Sequence, residues 1–155
     1  MRNDFVATGF VTNKDKSKLL VIFHNKLKKW LPPGGHLMPN ELPYEGALRE
    51  VFEETGIEAT IIDPSPDLEL FGDQERKVPA PFFILHELIP ANNKDVEHMH
   101  VDFIYLMESD ESDVTIQLEE VSEVRWMKKE EILACDAFDS VKNICTQILV
   151  SDKSF

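Results

Sequence analysis

Apolar and polar positions change rhythm several times along the chain, and each rhythm predicts an element. Residues 4–11 and 18–24 are rich in Val, Ile, Phe and Leu and flank the polar run Thr12-Asn13-Lys14-Asp15-Lys16-Ser17, which predicts a β-hairpin. From Pro43 the period lengthens to that of a helix. Tyr44, Ala47, Leu48, Val51 and Thr55 fall on one side, while Glu50, Glu53 and Glu54, at i, i+3 and i+4, share the other. The helix is expected to be amphipathic, with its acid facing outward. Pro43 suits its first position and Gly56 is placed to stop it, but Leu42 brings no polar side chain to the N-cap, an omission that costs about 1 kcal/mol.

Further along, 58–62 reads as a short strand ended by Asp63-Pro64-Ser65-Pro66-Asp67, and 68–79 as loop. The strongest strands are 80–88 and 98–107. In the second, His98, His100 and Asp102 alternate with Met99, Val101 and Phe103, so the polar side chains share one face. An acidic loop at 108–113 precedes a strand at 123–127. Residues 129–134 and 138–150 read as packing helix, with Val141, Ile144, Cys145, Ile148 and Leu149 at helical spacing. No repeat or linker divides the 155 residues, so a single domain, 1–155, is expected, long enough to bury about two thirds of its unfolded surface.

Composition narrows the partners. Hydrophobic residues are 43% of the chain and charged residues 29%, ordinary for a soluble globular protein. No apolar run of about 18 residues exists and Met1-Arg2-Asn3-Asp4 begins no signal-peptide core, so a cytoplasmic protein with no membrane attachment is expected. The net charge of −13, with no basic stretch beyond Lys26-Leu27-Lys28-Lys29, argues against polymeric nucleic acid as a partner. Those lysines read as solvated turn charge rather than as phosphate contacts. Cys135 and Cys145 read as buried thiols. A homodimer is compatible with the sequence, which does not fix the oligomeric state.

The acidic helix face is where pattern and stability disagree. Carboxylates at those spacings repel by a few tenths of a kcal/mol per pair, and the end of a helix is the wrong end of its dipole for negative charge. A hard divalent cation would repair both, because Mg²⁺ takes oxygen ligands and usually sits between one or two carboxylates and substrate phosphates. Trp30-Leu31-Pro32-Pro33-Gly34-Gly35 fits the same picture. A stiff approach is followed by residues that admit positive φ and close approach of backbone to ligand, with a main-chain carbonyl available to the ion. A glutamate-rich face on an arbitrary helix is most often solvated surface. The glycine pair, Arg49 and their spacing to the acids weigh against that here.

Gly35, Glu41 and Arg49-Glu50-Val51-Phe52-Glu53-Glu54-Thr55-Gly56-Ile57 stand at the spacing of the signature of the Nudix hydrolases, and over these 23 residues the chain resembles that family at every fixed position. The resemblance implies an α/β fold, a Nudix-type α/β/α sandwich with a mixed central sheet. It implies a metal-dependent hydrolase that cleaves the pyrophosphate linkage of a small nucleotide-type substrate, a nucleoside diphosphate linked to another moiety, by attack of water on phosphorus. It further implies Glu50, Glu53 and Glu54 as ligands of Mg²⁺ or Mn²⁺, one of them able to double as general base, with the Gly34 carbonyl as a further ligand. Arg49 and Glu41 resemble the pair that orients the acids, and Gly35 supports the bend. Met38 stands where an acid is frequent and Asn40 where glycine is frequent, but Asn tolerates the left-handed conformation.

Glu119 and Glu120 resemble the region where another glutamate of the family approaches the metals from a loop. Glu120 is preferred as general base or water-mediated ligand. The features associated with the ADP-ribose, dinucleoside polyphosphate and coenzyme A branches are not evident. The competing expectation is a non-catalytic Nudix module that senses a ligand or binds a protein, whose usual sign, loss of acids from the signature, is missing here. The face of His98, His100 and Asp102 is expected either to contact substrate and move protons or to be a hairpin end in water. A separate zinc site is disfavoured, because nothing else supplies a third nitrogen or sulfur at suitable spacing.

Overall fold

The structure, a computed structural model, describes residues 1–115 and 119–151. Its elements are β1 (Asn3–Thr12), β2 (Lys18–His24), β3 (Lys29–Leu31), β4 (Gly34–His36), α1 (Pro43–Thr55), β5 (Thr60–Ile61), β6 (Phe83–Ile89), β7 (His98–Glu108), β8 (Val121–Lys128), α2 (Lys129–Ala134) and α3 (Asp139–Ile148). One sheet runs β3-β2-β1-β7-β5, with β4 beside β1, β6 beside β7 and β8 beside β2. It is mixed. β1 and β7 lie parallel from Asn3↔Met99 to Thr12↔Glu108, and the remaining pairs are antiparallel.

Strand alternation divides the core into two layers. Ala7, Val11, Leu20, Ile22, Tyr105 and Met107 point to one face, where α1 covers them with Ala47 and Val51. Phe10, Leu19, Val21, Ile104, Leu106 and Met127 point to the other and meet Ile132, Val141, Ile144, Cys145 and Ile148 from α2 and α3. Full burial of each large side chain contributes roughly 1.5–3 kcal/mol before ordering costs. The expected α/β/α sandwich is therefore present. Among the described residues no helix is long and apolar enough to cross a membrane. Both cysteines are free thiols; Cys145 is buried as expected, whereas Cys135 is only half-buried.

Two parts of the N-terminal half differ from expectation. β1 and β2 meet at Thr12↔Leu19 rather than along a hairpin, and β2 pairs instead with β3 and β8. The edge of β1 is occupied by β4, through Val6↔His36, Ala7↔Gly35 and Thr8↔Gly34, and Gly9 N–H donates to the Pro33 carbonyl at 2.9 Å. The glycine pair is therefore strand, not loop. Neither glycine uses positive φ, which among the described glycines belongs to Gly56 and Gly72. Three-residue strands carry no periodicity, and the prolines around them read as punctuation, so β3 and β4 left no pattern to find.

The turns into and out of α1 follow from their residues. Asn40 adopts φ 65°, the conformation its side chain tolerates. Leu42 makes no side-chain cap, but its own N–H is satisfied by Glu45 Oε1 at 3.0 Å. Gly56 closes the helix at φ 75°, its N–H donating to the Phe52 carbonyl at 2.8 Å. Gly56→Ala puts a Cβ into the left-handed region and 3.2 Å from Thr115 Cβ. It is expected to destabilise the fold by about 1–2 kcal/mol, read as a lower urea midpoint at unchanged slope.

Candidate active site

Packing of Ala47 and Val51 against the sheet fixes the rotation of α1, and that rotation carries Glu50 and Glu54 towards β4. Glu54 is only 5% exposed and accepts the Gly34 N–H at 2.9 Å. The expectation that the acids face outward is thus corrected. Glu50 and Glu54 are turned against the strand, because packing of the apolar side of α1 brings them to β4. Glu53, next along, stays half-exposed.

Both glycines are explained by proximity. A Cβ on Gly35 would lie 2.6 Å from Glu50 Oε1, and one on Gly34 would lie 2.7 Å from the Ala7 carbonyl oxygen. Any larger residue at either position would push the strand off the acids or off β1.

Arg49 binds this group together. Its Nε and one terminal nitrogen donate to the two oxygens of Glu41 at 2.7 and 2.9 Å, the bidentate fork that suits a carboxylate. The other terminal nitrogen donates to Glu50 Oε1 at 2.9 Å and Glu53 Oε2 at 3.1 Å, while the nitrogen that binds Glu41 also donates to the His36 carbonyl at 3.1 Å. The guanidinium holds the Glu41 carboxyl below its ordinary range, and the same contacts raise the Arg49 pKa further.

Glu54 goes the other way. Burial, the nearby negative charge of Glu50 and the more distant charge of Glu120 push its pKa up to about 8, against the opposing pull of the Gly34 hydrogen bond. An all-oxygen donor set whose buried member, Glu54, resists ionisation fits a hard dication such as Mg²⁺. Glu120 lies on the turn before β8, with its backbone carbonyl accepting from Asn25 N–H at 2.8 Å and its side chain exposed.

The opposite face of β1, β4 and β7 carries a second polar group. Thr8 Oγ1 donates to Asp102 Oδ1 at 2.8 Å, and Asp102 is 8% exposed. Burial raises the Asp102 pKa, and burial together with Asp102 pushes that of Glu87, on β6, up to about 7. His98, 4% exposed, and His100 lie beyond, with Nε2 atoms 3.2 Å apart. The alternation in β7 placed these three on one face as expected. Asp4, Thr8, His36 and Glu87 were not singled out, because only the register of four strands gathers them, and no local spacing encodes it.

A family model described as the NUDIX domain matches residues 3–145. The chain belongs to the Nudix hydrolase family. A hydrolase of that family from Clostridium perfringens has a crystal structure matching with a TM-score of 0.75 at 25% identity, over 96% of this chain and 97% of that one. The probable DHNTP pyrophosphohydrolase of Lactococcus lactis subsp. cremoris is 31% identical over 112 residues, 71% of this chain and 57% of the relative. The asymmetrical bis(5'-nucleosyl)-tetraphosphatase of Rattus norvegicus is 46% identical over 50 residues, 32% of this chain and 34% of the relative. The chain thus spans only part of the length of these two curated relatives.

The raised Glu54 pKa carries a definite sign. Below its ordinary value near 4.5 the group is protonated whether the chain is folded or not. As pH climbs from there through about 8, the unfolded chain releases a proton that the folded one retains, so metal-free protein loses stability across that interval. Asp102 and Glu87 act in the same direction, and Glu54→Gln isolates the contribution of Glu54. In EDTA, the fall in melting temperature between pH 5 and pH 7.5 (about half a unit inside either end of the window) is expected to be shallower in Glu54→Gln than in the parent.

Proposed function

We propose that the chain, acting as one domain, is a divalent-metal-dependent pyrophosphohydrolase that cleaves a nucleoside diphosphate linked to another moiety. The observation that carries this reading is the convergence of Glu50 and Glu54 on Gly34-Gly35, with Arg49 joining Glu41, Glu50 and Glu53. Glu50, Glu53, Glu54 and the Gly34 carbonyl would hold Mg²⁺ or Mn²⁺. When bound, such an ion supplies neutralising charge at the pyrophosphate and acidifies water.

The protein's own part is positioning and proton transfer. Arg49 restricts the rotamers of Glu50 and Glu53, and Glu41 restricts Arg49, so the acids are set before substrate arrives. Water attacks phosphorus, a new P–O bond forms, the bridging P–O bond breaks, and the water proton passes to a carboxylate. We assign that acceptor to Glu120, whose loop is tied to Asn25 and whose charge reaches Glu54. Because the acids titrate as a group, the pH–rate profile belongs to the cluster rather than to one residue. Of the polar residues on the face of β7 opposite the acids of α1, we assign Asp102 to substrate. Burial raises its pKa and, together with it, pushes that of the neighbouring Glu87 up to about 7, so the two carboxyls can offer a donor and an acceptor to a polar substrate group. The imidazoles of His98 and His100 are instead turned to each other and towards Asp4.

A panel of nucleoside triphosphates, dinucleoside polyphosphates, nucleotide sugars and dihydroneopterin triphosphate, incubated with Mg²⁺, tests the reading through release of phosphate, pyrophosphate or nucleoside monophosphate. Glu53→Gln, Glu54→Gln and Glu120→Gln are each expected to lower turnover at least about a hundredfold while circular dichroism is unchanged. Tight binding of a panel member without turnover would instead favour the sensing module.

A further inference from the structure

We propose that Asp4, His98, His100 and His36 form a second, nitrogen-rich metal site that takes a borderline transition-metal dication of the Zn²⁺ class, distinct from the acids of α1. One ligand atom from each of Asp4, His98 and His100 falls within 4.8 Å of the others. His36 adds the third imidazole, with Nε2 3.3 Å from Asp4 Oδ2 and its ring centroid 4.9 Å from that of His100. This is the third nitrogen that spacing along the chain did not supply. It arrives across the sheet, because Val6↔His36 and Asp4↔His100 bring β4 and β7 to either side of β1.

The ligand atoms of Asp4, His98 and His100 are spaced for coordination, and His36 joins them through Asp4. Ligand atoms 2.0–2.1 Å from a tetrahedral ion lie about 3.3 Å from one another. Here His98 Nε2 and His100 Nε2 are 3.2 Å apart, Asp4 Oδ2 and His36 Nε2 3.3 Å, and Asp4 Oδ2 and His98 Nε2 3.8 Å. The outer contacts also set up ligation. His98 Nδ1 lies 2.8 Å from the Val96 carbonyl, which can only accept, so the ring proton sits on Nδ1 and the Nε2 lone pair faces the cluster. Arg2 donates to both oxygens of Asp4, Nε to Oδ1 at 2.7 Å and a terminal nitrogen to Oδ2 at 3.1 Å, and that terminal nitrogen is anchored by Asp95 at 2.6 Å, which fixes the carboxylate. Three imidazoles and one carboxylate favour zinc, nickel, copper or iron over magnesium, which wants oxygen throughout.

The test uses the whole chain, stripped with EDTA and exchanged into saturating Mg²⁺ so that the acids of α1 are occupied. Zn²⁺ is titrated calorimetrically, and Co²⁺ by visible absorption, whose intensity reports four-coordinate nitrogen ligation. About one equivalent of Zn²⁺ is expected, with an intense Co²⁺ band and a Zn²⁺-dependent rise in melting temperature. His100→Gln and Asp4→Asn, each checked for folding by circular dichroism, should weaken Zn²⁺ at least about tenfold and bleach the Co²⁺ band. Glu53→Gln should retain both. A parent that takes up no Zn²⁺, equal affinity in the folded His100→Gln and Asp4→Asn proteins, or Zn²⁺ binding lost in Glu53→Gln would each overturn the proposal. Since every readout is binding or spectroscopy, none of these outcomes depends on whether the chain hydrolyses pyrophosphate.

Discussion

One guanidinium among several carboxylates is the constraint from which the active-site geometry follows. Glu41, Glu50 and Glu53 all accept hydrogen bonds from Arg49, while Glu54, one turn from Glu50, meets that carboxyl group and the Gly34 amide. Four acids against one arginine leave the region short of positive charge, and the deficit is expressed where burial is greatest, as a Glu54 that holds its proton. Strand β4 cannot relieve this by moving away, since it is paired to β1 on its other side. The local instability is thus confined by the sheet, the arrangement expected where a fold is shaped for a cation and a phosphorylated ligand rather than for its own stability.

Much of this was legible along the chain, for identifiable reasons. Helix α1 was legible because its period, its Pro43 start and its Gly56 stop are local, and the structure reproduces Pro43–Thr55. So were β7 and the two-sided core, since long runs with period-two or helical spacing fix which side chains share a face. The orientation of the acids was not. An acidic stripe opposite an apolar one reads as solvated unless a third segment covers it, and that segment, β4, is too short to announce itself. The splayed hairpin has the same origin: the polar turn 12–17 predicts a reversal correctly but cannot say that Gly34–His36 will take the edge of β1 first.

The histidine group shows the limit more sharply. His98 and His100 are two apart and were visible as a pair, but Asp4 and His36 reach them from two other strands, 94 and 62 residues away from His98 along the chain (98 − 4 and 98 − 36). Spacing rules for metal sites work when ligands come from one turn or one finger. They fail when a parallel crossover and an inserted edge strand bring the ligands together.

Strand β4 also explains how two such different groups coexist. Its pleat sends Gly35 towards α1, against Glu50, while Gly34 and His36 face the other way, against Thr8 and His100. The backbone between them serves both: the His36 carbonyl accepts from Arg49 on the carboxylate side while its imidazole meets Asp4 on the other. Oxygen donors are thereby collected on one surface of a three-residue strand and nitrogen donors on the opposite one. Because a hard cation gains little from imidazole and a borderline one gains much, ligand chemistry alone would keep the two ions in their own places. A shift of β4 caused by filling either group would be felt by the other through the single peptide unit they share.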